Sequence, residues 1–469
     1  MIEFLAKVKS AESITDPIQR CLAYPDAPGS HWDPAIVRAY CHYRHQPLIT
    51  LQDIRELIHG GREVELDRRM QEALTAQQND PDARSRLDLS YQRAIKSDFK
   101  DLRPLFDAWK QASPKSAFAY AASGYLYVQE ALNERGEDYA SKTATVRLQK
   151  MHTQLAFAEA DLYQAIALNP RVTPAYAALI QGSNIGESHD YAEHAIDQAL
   201  SVDPNNFSIY ESAMQTQEPR WGGSLESMQS LVDKALGNVK ENPLLGVFQK
   251  EVAFYQINRC ECSDKQQVAA YTALFSRPST SAHLWSAGDA ATDANATPAA
   301  LVFLSETLRF NPWATRARAQ RSINLSKFGD AHWAMQDADL SIKEDPKDAA
   351  GYRSRAFALE SMNDYSRAEL ALKEAVALDA SDSWSLVELG NIYGFHTREW
   401  DKAWAISEEA IRKFPDVPYG WVLRAKVQMD QPRAGIKATY EEFSRRFSND
   451  PDQQEAAAQM RAAMMTQGQ

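Results

Sequence analysis

The sequence predicts an all-α fold, a solenoid of stacked helical hairpins (an α–α superhelix) with an N-terminal helical extension. Three observations predict it. Short segments recur with a period near 34 residues, and their small residues fall on one helical face. No stretch shows the sustained alternation of β-branched residues that a strand requires.

The recurrence is clearest in the C-terminal half. PAALVFLSETLRFNP (298–312), HWAMQDADLSIKEDP (332–346), SRAELALKEAVALDA (366–380) and DKAWAISEEAIRKFP (401–415) align on Ala300, Ala334, Ala368 and Ala403. Small or aliphatic residues follow four and seven places on, which puts all three on one helical face, and the small ones let two helix axes approach closely. The segments close on Pro312, Pro346, Ala380 and Pro415, and proline stops a helix because it lacks the N–H and clashes with the preceding turn.

Partner helices lie between these segments. AGYRSRAFALESM (350–362) places Tyr352, Ala356 and Leu359 on one face, and SLVELGNIY (385–393) places Leu386, Leu389, Gly390 and Tyr393 likewise. Gly329–Asp330, Asn363–Asp364 and His396–Thr397 suit the short turns that join them. Each unit therefore reads as a helix–turn–helix of one repeat length. On these residues the chain resembles the tetratricopeptide-repeat family. The match is good over Ala349–Ala380 and Ser383–Pro415 and looser over Thr315–Pro346, where Arg318 and Arg321 fill places usually apolar.

The pattern returns earlier. FAEADLYQAIALNP (157–170) and YAEHAIDQALSVDP (191–204) carry Ala158 and Ala192 in matching places, and a weaker echo runs through SMQSLVDKALGNVKENP (227–243). Between the two blocks, 244–299 still reads as helix, with apolar steps of three and four in LLGVFQKEVAFYQI and KQQVAAYTALF. Residues 1–110 carry no clear repeat. LQDIRELIHGG (51–61) reads as a helix ending on glycine, and AYPDAPGSHWDP (23–34) as a loop. From about Asp101 to Lys240 the chain is similar to bacterial proteins of the domain-of-unknown-function 4034 family. The residues that carry this are DAWKQASPKSAFAYAASGYLYVQEALNERG (107–136), FAEADLYQAIALNP and above all EPRWGGSLESM (218–228). The resemblance implies repeat-like helices and a bacterial source, and no activity. The expected organisation is a helical region over 1–110, a repeat-like domain over 111–243, an irregular helical middle over 244–299, tetratricopeptide-like repeats over 300–449, and a terminal helix and tail over 450–469.

Composition narrows the function. Lys and Arg total 51 against 63 Asp and Glu, a net charge of −12, which disfavours nucleic acid as a partner. No apolar run is long enough to span a membrane, and MIEFLAKVKSAESITD lacks the core of a secretory signal. Four cysteines are too few for a disulfide framework and fit a reducing compartment, so a cytoplasmic protein is expected.

Candidate chemistry is sparse. The sequence holds no Gly-x-Ser-x-Gly elbow, phosphate loop, His-Glu-x-x-His or Gly-x-Gly-x-x-Gly, so no catalytic residue and no cofactor is expected. Carboxylate pairs such as Glu408–Glu409 and Glu441–Glu442 read as solvated helix faces, and His189 and His194 flank a helix start without a nucleophile. Cys21, His31, Cys41, His42, His45 and His59 cluster near the start, and Cys41 with His45 has the spacing of a ligand pair. No second pair completes a zinc tetrahedron, so no metal is assigned. Cys260 and Cys262 read as two thiols at a helix end. Arg220 and Trp221, before Gly222, Gly223 and Ser224, mark a sharp turn into a helix capped by Ser224. Such a turn is either a structural corner or, with Arg220, an anion cradle.

The remaining candidate is a surface. In a tetratricopeptide arrangement the first helix of each pair lines the concave face. The inward positions are then Arg316, Ile323, Ala350, Arg353, Phe357, Trp384, Asn391, Tyr419 and Lys426. Aromatic groups mixed with Arg, Lys and Asn match the chemistry of interface centres and predict a groove for a protein or peptide of acidic or carboxylate-terminal character. The competing reading is that Trp384 and Tyr419 fill repeat junctions. The expected function is a non-enzymatic binding scaffold. The alternatives are an immunity or inhibitor protein that neutralises a bacterial toxin, and an enzyme or metal protein built on the N-terminal Cys/His cluster.

Overall fold

The computed structural model describes residues 1–95, 99–136, 142–186, 189–431 and 433–467. Among them are twenty-six α-helices and no strand. They divide into two units, Met1–His283 and Leu284–Gln469.

In the first unit the helices run α1 (Ile2–Glu12), α2 (Pro17–Ala23), α3 (Pro34–His45), α4 (Leu51–His59), α5 (Glu63–Asn79), α6 (Arg86–Ala94), α7 (Phe99–Ala112) and α8 (Ala117–Arg135). They continue as α9 (Thr145–Leu168), α10 (Thr173–Gly186), α11 (His189–Val202), α12 (Phe207–Thr216), α13 (Leu225–Gly237), α14 (Glu251–Asn258), α15 (Asp264–Leu274) and the start of α16 (Ser281–Asp293). Local chemistry sets their ends. Asp16 accepts a hydrogen bond from the Gln19 amide, Thr50 and Asp53 form a reciprocal capping box, and α4 stops at Gly60 as the sequence predicts. α9 and α11 end two residues before Pro170 and Pro204, and Ala158 and Ala192 are buried on them.

A buried polar hub ties four of these helices together. Asp88 of α6 accepts hydrogen bonds from Thr173 Oγ1 of α10 at 2.7 Å and from Asn206 Nδ2, the cap of α12, at 2.9 Å. Gln77 of α5 donates to the same Thr173 hydroxyl at 2.8 Å and accepts from the Leu87 amide. Burial pushes the Asp88 carboxyl up to about 6, and the bonds from Asn206 and Thr173 hold it from going further.

The cysteines correct an expectation. Cys21 on α2 and Cys41 on α3 are bonded to each other, fully buried, with Cα atoms 5.8 Å apart. Cys260 and Cys262 form a second disulfide in the loop between α14 and α15. Twenty residues separate the first pair. Their meeting depends on how α2 returns against α3, which spacing along the chain does not show. Cys41 is therefore no metal ligand, and the argument for a reducing compartment loses its premise.

The second unit holds the rest of α16, then α17 (Thr297–Phe310), α18 (Thr315–Phe328), α19 (Ala331–Glu344), α20 (Ala349–Ser361), α21 (Tyr365–Leu378) and α22 (Ser383–Asn391). It ends with α23 (Trp400–Lys413), α24 (Pro418–Asp430), α25 (Ile436–Phe447) and α26 (Gln454–Gln467). A π turn, Ile392–His396, extends α22. The hairpins α18–α19, α20–α21 and α22–α23 stack in sequence, and acidic caps start their helices: Asp330, Asp348, Asp364 and Asp382 each accept from a first-turn amide. Ala300, Ala334, Ala368 and Ala403 are all fully buried, in equivalent places on α17, α19, α21 and α23. Leu359, Leu372, Leu386, Leu389, Ile392 and Leu423 join Ala368 and Ala403 in one core. Each large aliphatic buried there contributes about 1.5–3 kcal/mol, and one hairpin alone could not cover it.

The looser repeat is packed by charge. Arg318 and Arg321, where apolar residues are usual, both turn inward onto Asp337 of α19. Beside them Arg309 pairs with Glu306 at 3.2 Å, and both are buried.

Candidate functional site

The first helices of consecutive hairpins bring four of the nine expected groove residues together, Arg353, Phe357, Trp384 and Asn391. On α20, Arg353, Phe357 and Glu360 stand one turn apart along one face. On α22 and its cap, Asp382, Trp384, Glu388 and Asn391 face them. Arg353 Nη1 donates to Asp382 Oδ2 at 3.2 Å, and Asp382 also accepts from Ser385 Oγ at 2.6 Å. One turn on, the rings of Phe357 and Trp384 stack with centroids 4.8 Å apart and planes 7° apart. A further turn on, the carboxyl groups of Glu360 and Glu388 lie within hydrogen-bonding reach of each other. Asn391 Nδ2 donates to Glu388 Oε2 at 3.0 Å. All but the buried Asp382 are half-buried: held in place, yet open on one side.

The electrostatics of this row are uneven. The Arg353 guanidinium is engaged by Asp382, so one of the cations on which the sequence rested an acidic ligand is already paired. Glu360 is the opposite case. Burial first, and then the neighbouring Glu388 carboxylate, push its carboxyl up to about 8, and its Oε1 is enclosed without a donor among the described residues.

The other expected residues do not join this row. Arg316 is 77% exposed, with Nε 3.6 Å from Asp348 Oδ2. Tyr419 is exposed, and Lys426 stands 5.9 Å from the centroid of the Phe395 ring. Asp382, Glu360 and Glu388 escaped the sequence reading. Their signal was available in the helical steps from Arg353 and Trp384, but carboxylates were sought as neighbours in the chain, and these two are 28 residues apart.

Arg220 and Trp221 lie in the first unit. After α12, a turn of 3₁₀ helix over Pro219–Trp221 leads to Gly222 at φ +95°. A Cβ on Gly223 would sit 2.1 Å from the carbonyl oxygen of Gln217, so only glycine fits. Ser224 caps α13 through the Ser227 amide at 3.0 Å. Arg220 Nε lies 2.5 Å from Glu218 Oε2, and its guanidinium stands over the Trp221 ring at 5.3 Å. Gly222, Gly223 and Ser224 serve the corner, and the cation of the expected anion cradle is paired with Glu218.

In the N-terminal cluster, His42 Nδ1 is 3.6 Å from Asp82 Oδ1, and no group of three potential ligands is assembled among the described residues. No described helix is long and apolar enough to cross a membrane. A cleft of about 510 Å³ between α25 and α26 is lined mainly by Tyr440, Phe443, Phe447, Ala457 and Met465, with Arg461 its one charged group.

With the geometry in place, comparison with known proteins adds a family for part of the chain. The family model described as Domain of unknown function (DUF4034) matches residues 50–188. The matched stretch, residues 50–188, is similar to that family. It spans α4 to α10 and contains Gln77, Asp88 and Thr173 of the buried hub. The resemblance read from the sequence was placed further on, and EPRWGGSLESM, taken there as its most specific part, lies outside the matched residues. No curated protein matches the chain. Among solved structures, a tetratricopeptide repeat protein from Parabacteroides merdae ATCC 43184 is 18% identical with a TM-score of 0.42, covering 55% of this chain and 98% of its own. MamA 41-end from Desulfovibrio magneticus RS-1 is 16% identical at a TM-score of 0.29, covering 35% and 92%. YrrB, described as a TPR protein with an unusual peptide-binding site, is 16% identical at 0.25, covering 48% and 95%.

Proposed function

We propose that the protein is a non-enzymatic scaffold that captures a protein or peptide along the face formed by α20 and α22. The observation that carries this reading is the row Arg353–Asp382, Phe357–Trp384 and Glu360–Glu388. A stacked aromatic pair flanked by ordered polar groups, half open to solvent, is the composition of an interface centre. Tyr419 and Lys426 on α24 would extend the same face, and Arg316 on α18 its other end. Arg220 and Trp221 belong to a structural corner and drop out of the binding set. The net charge of −12 supports a second reading, an inhibitor whose acidic surface masks a basic toxin active site. The enzyme or metal alternative loses its ligand pair to the Cys21–Cys41 bridge. That bridge also favours an oxidising compartment over the cytoplasm first expected.

The test is the double variant Arg353→Ala/Trp384→Ala in the full chain. Crosslinking and affinity capture should recover a partner with the wild type and lose it with the variant. Melting should fall by about 1–2 kcal/mol at most, since both side chains are half open. Loss of stability with unchanged capture would assign the row to repeat packing alone.

A further inference from the structure

The three contacts between α20 and α22 differ in charge. Arg353 with Asp382 is a neutralised pair, Phe357 on Trp384 is apolar, and Glu360 with Glu388 is doubly acidic. Other carboxylates of these hairpins have cations: Asp348 has Arg316, Asp339 has Arg355, and Glu369 has Lys373 at 2.7 Å. Glu360 and Glu388 have no ion pair with a described residue. Glu388 is oriented by the Asn391 amide, while Glu360 keeps a buried oxygen without a donor.

We propose that Glu360 and Glu388 form a socket for the side-chain cation of a lysine or arginine on a partner peptide laid across α20 and α22, the Phe357–Trp384 stack flanking its aliphatic stem. This rests on the binding face assigned above and names its ligand class. Charge complementarity is the argument. A cation beside the two carboxyl groups takes the place of the proton that Glu360 holds and supplies N–H donors to lone pairs the fold leaves empty. The stem of a lysine or arginine packs well on aromatic faces, and the ring quadrupole adds attraction for the charge. The net charge of −12 draws a basic partner in, and the Arg353 guanidinium is already paired with Asp382. The ligand character expected from the sequence is thereby reversed.

The test is selection of a random displayed peptide library on the immobilised full chain, on Glu360→Gln/Glu388→Gln and on Trp384→Ala. Calcium chloride titration runs in parallel, and thermal melts confirm that each variant folds. The expected result is wild-type enrichment of peptides with Lys or Arg at one register. Their synthetic copies should bind the double Gln variant roughly tenfold or more weakly, and lose affinity with added salt. Peptides that lack a fixed basic position, or that keep their affinity for the double Gln variant while losing it with Trp384→Ala, would overturn the socket and leave the face standing. No enrichment above a blank surface would overturn both. Calcium binding by the wild type, abolished in the Gln variant and competing with no peptide, would overturn the socket by making the pair a metal site.

Discussion

Arg321 grips Asp337 through two parallel hydrogen bonds, Nε to Oδ2 at 2.7 Å and Nη2 to Oδ1 at 2.9 Å, with side chains 0% and 1% exposed. Arg318 adds a third bond to Asp337 Oδ1 at 3.0 Å, and the Trp333 ring covers the Arg321 guanidinium at 4.8 Å. One carboxylate thus accepts hydrogen bonds from two buried guanidinium groups in the repeat that departs furthest from the small-residue pattern. Asp337→Asn should cost about 3–5 kcal/mol, because it strands desolvated charge. Arg321→Lys should recover little, since an ammonium cannot span both oxygens. Denaturant melts of the two variants check this; a wild-type midpoint for Asp337→Asn would exclude the network as the support of α18 on α19.

Ala368 on α21 is fully buried where two hairpins meet. Ala368→Leu should overpack that junction and cost about 1–3 kcal/mol in a thermal melt, whereas Leu370→Ala, at an exposed position of the same helix, should change little.

The carboxyl of Glu360 sets a pH dependence. Burial and Glu388 raise it to about 8, so the fold holds a proton that the unfolded chain releases near ~4.3. On this account stability is fully present at low pH and declines as pH rises from ~4.3 to about 8, then levels. Glu360→Gln removes the effect. Its melting temperature relative to wild type should climb across that window and stay flat above it, and a pH-independent difference would mean that the group titrates normally.

The two disulfides differ in access. Cys21 and Cys41 are buried, while Cys260 and Cys262 lie in a loop open to solvent. Mild reductant on the folded protein, followed by alkylation and peptide mass analysis, should label Cys260 and Cys262 well before the other pair. Opening the buried bridge with Cys21→Ser/Cys41→Ser should cost about 3 kcal/mol, the loop-closure value for a loop of this length. Simultaneous labelling of all four would contradict the burial of Cys21 and Cys41.

Gly223 is the tightest point of the corner before α13. Gly223→Ala drives a methyl into the Gln217 carbonyl, a backbone atom that cannot step aside, and should cost about 1–3 kcal/mol. Gly237→Ala, where a Cβ meets open space, is the control and should melt as wild type or higher.

What the sequence determined by itself was periodic. Ala300, Ala334, Ala368 and Ala403, the acidic caps and the helix-stopping prolines are local signals. A helix's period and its ends are decided within a turn or two, so they survive translation into structure intact. Tertiary structure decided everything that depends on two helices meeting. It brought Cys21 to Cys41, turned Arg318 and Arg321 from apparent misfits into partners of Asp337, and closed Arg353 onto Asp382. It also set Glu360 against Glu388. Such pairs lie 16 to 29 residues apart in the chain. Charge, burial and hydrogen bonding act over a few ångströms of space, and only the stacked hairpins say which residues share them.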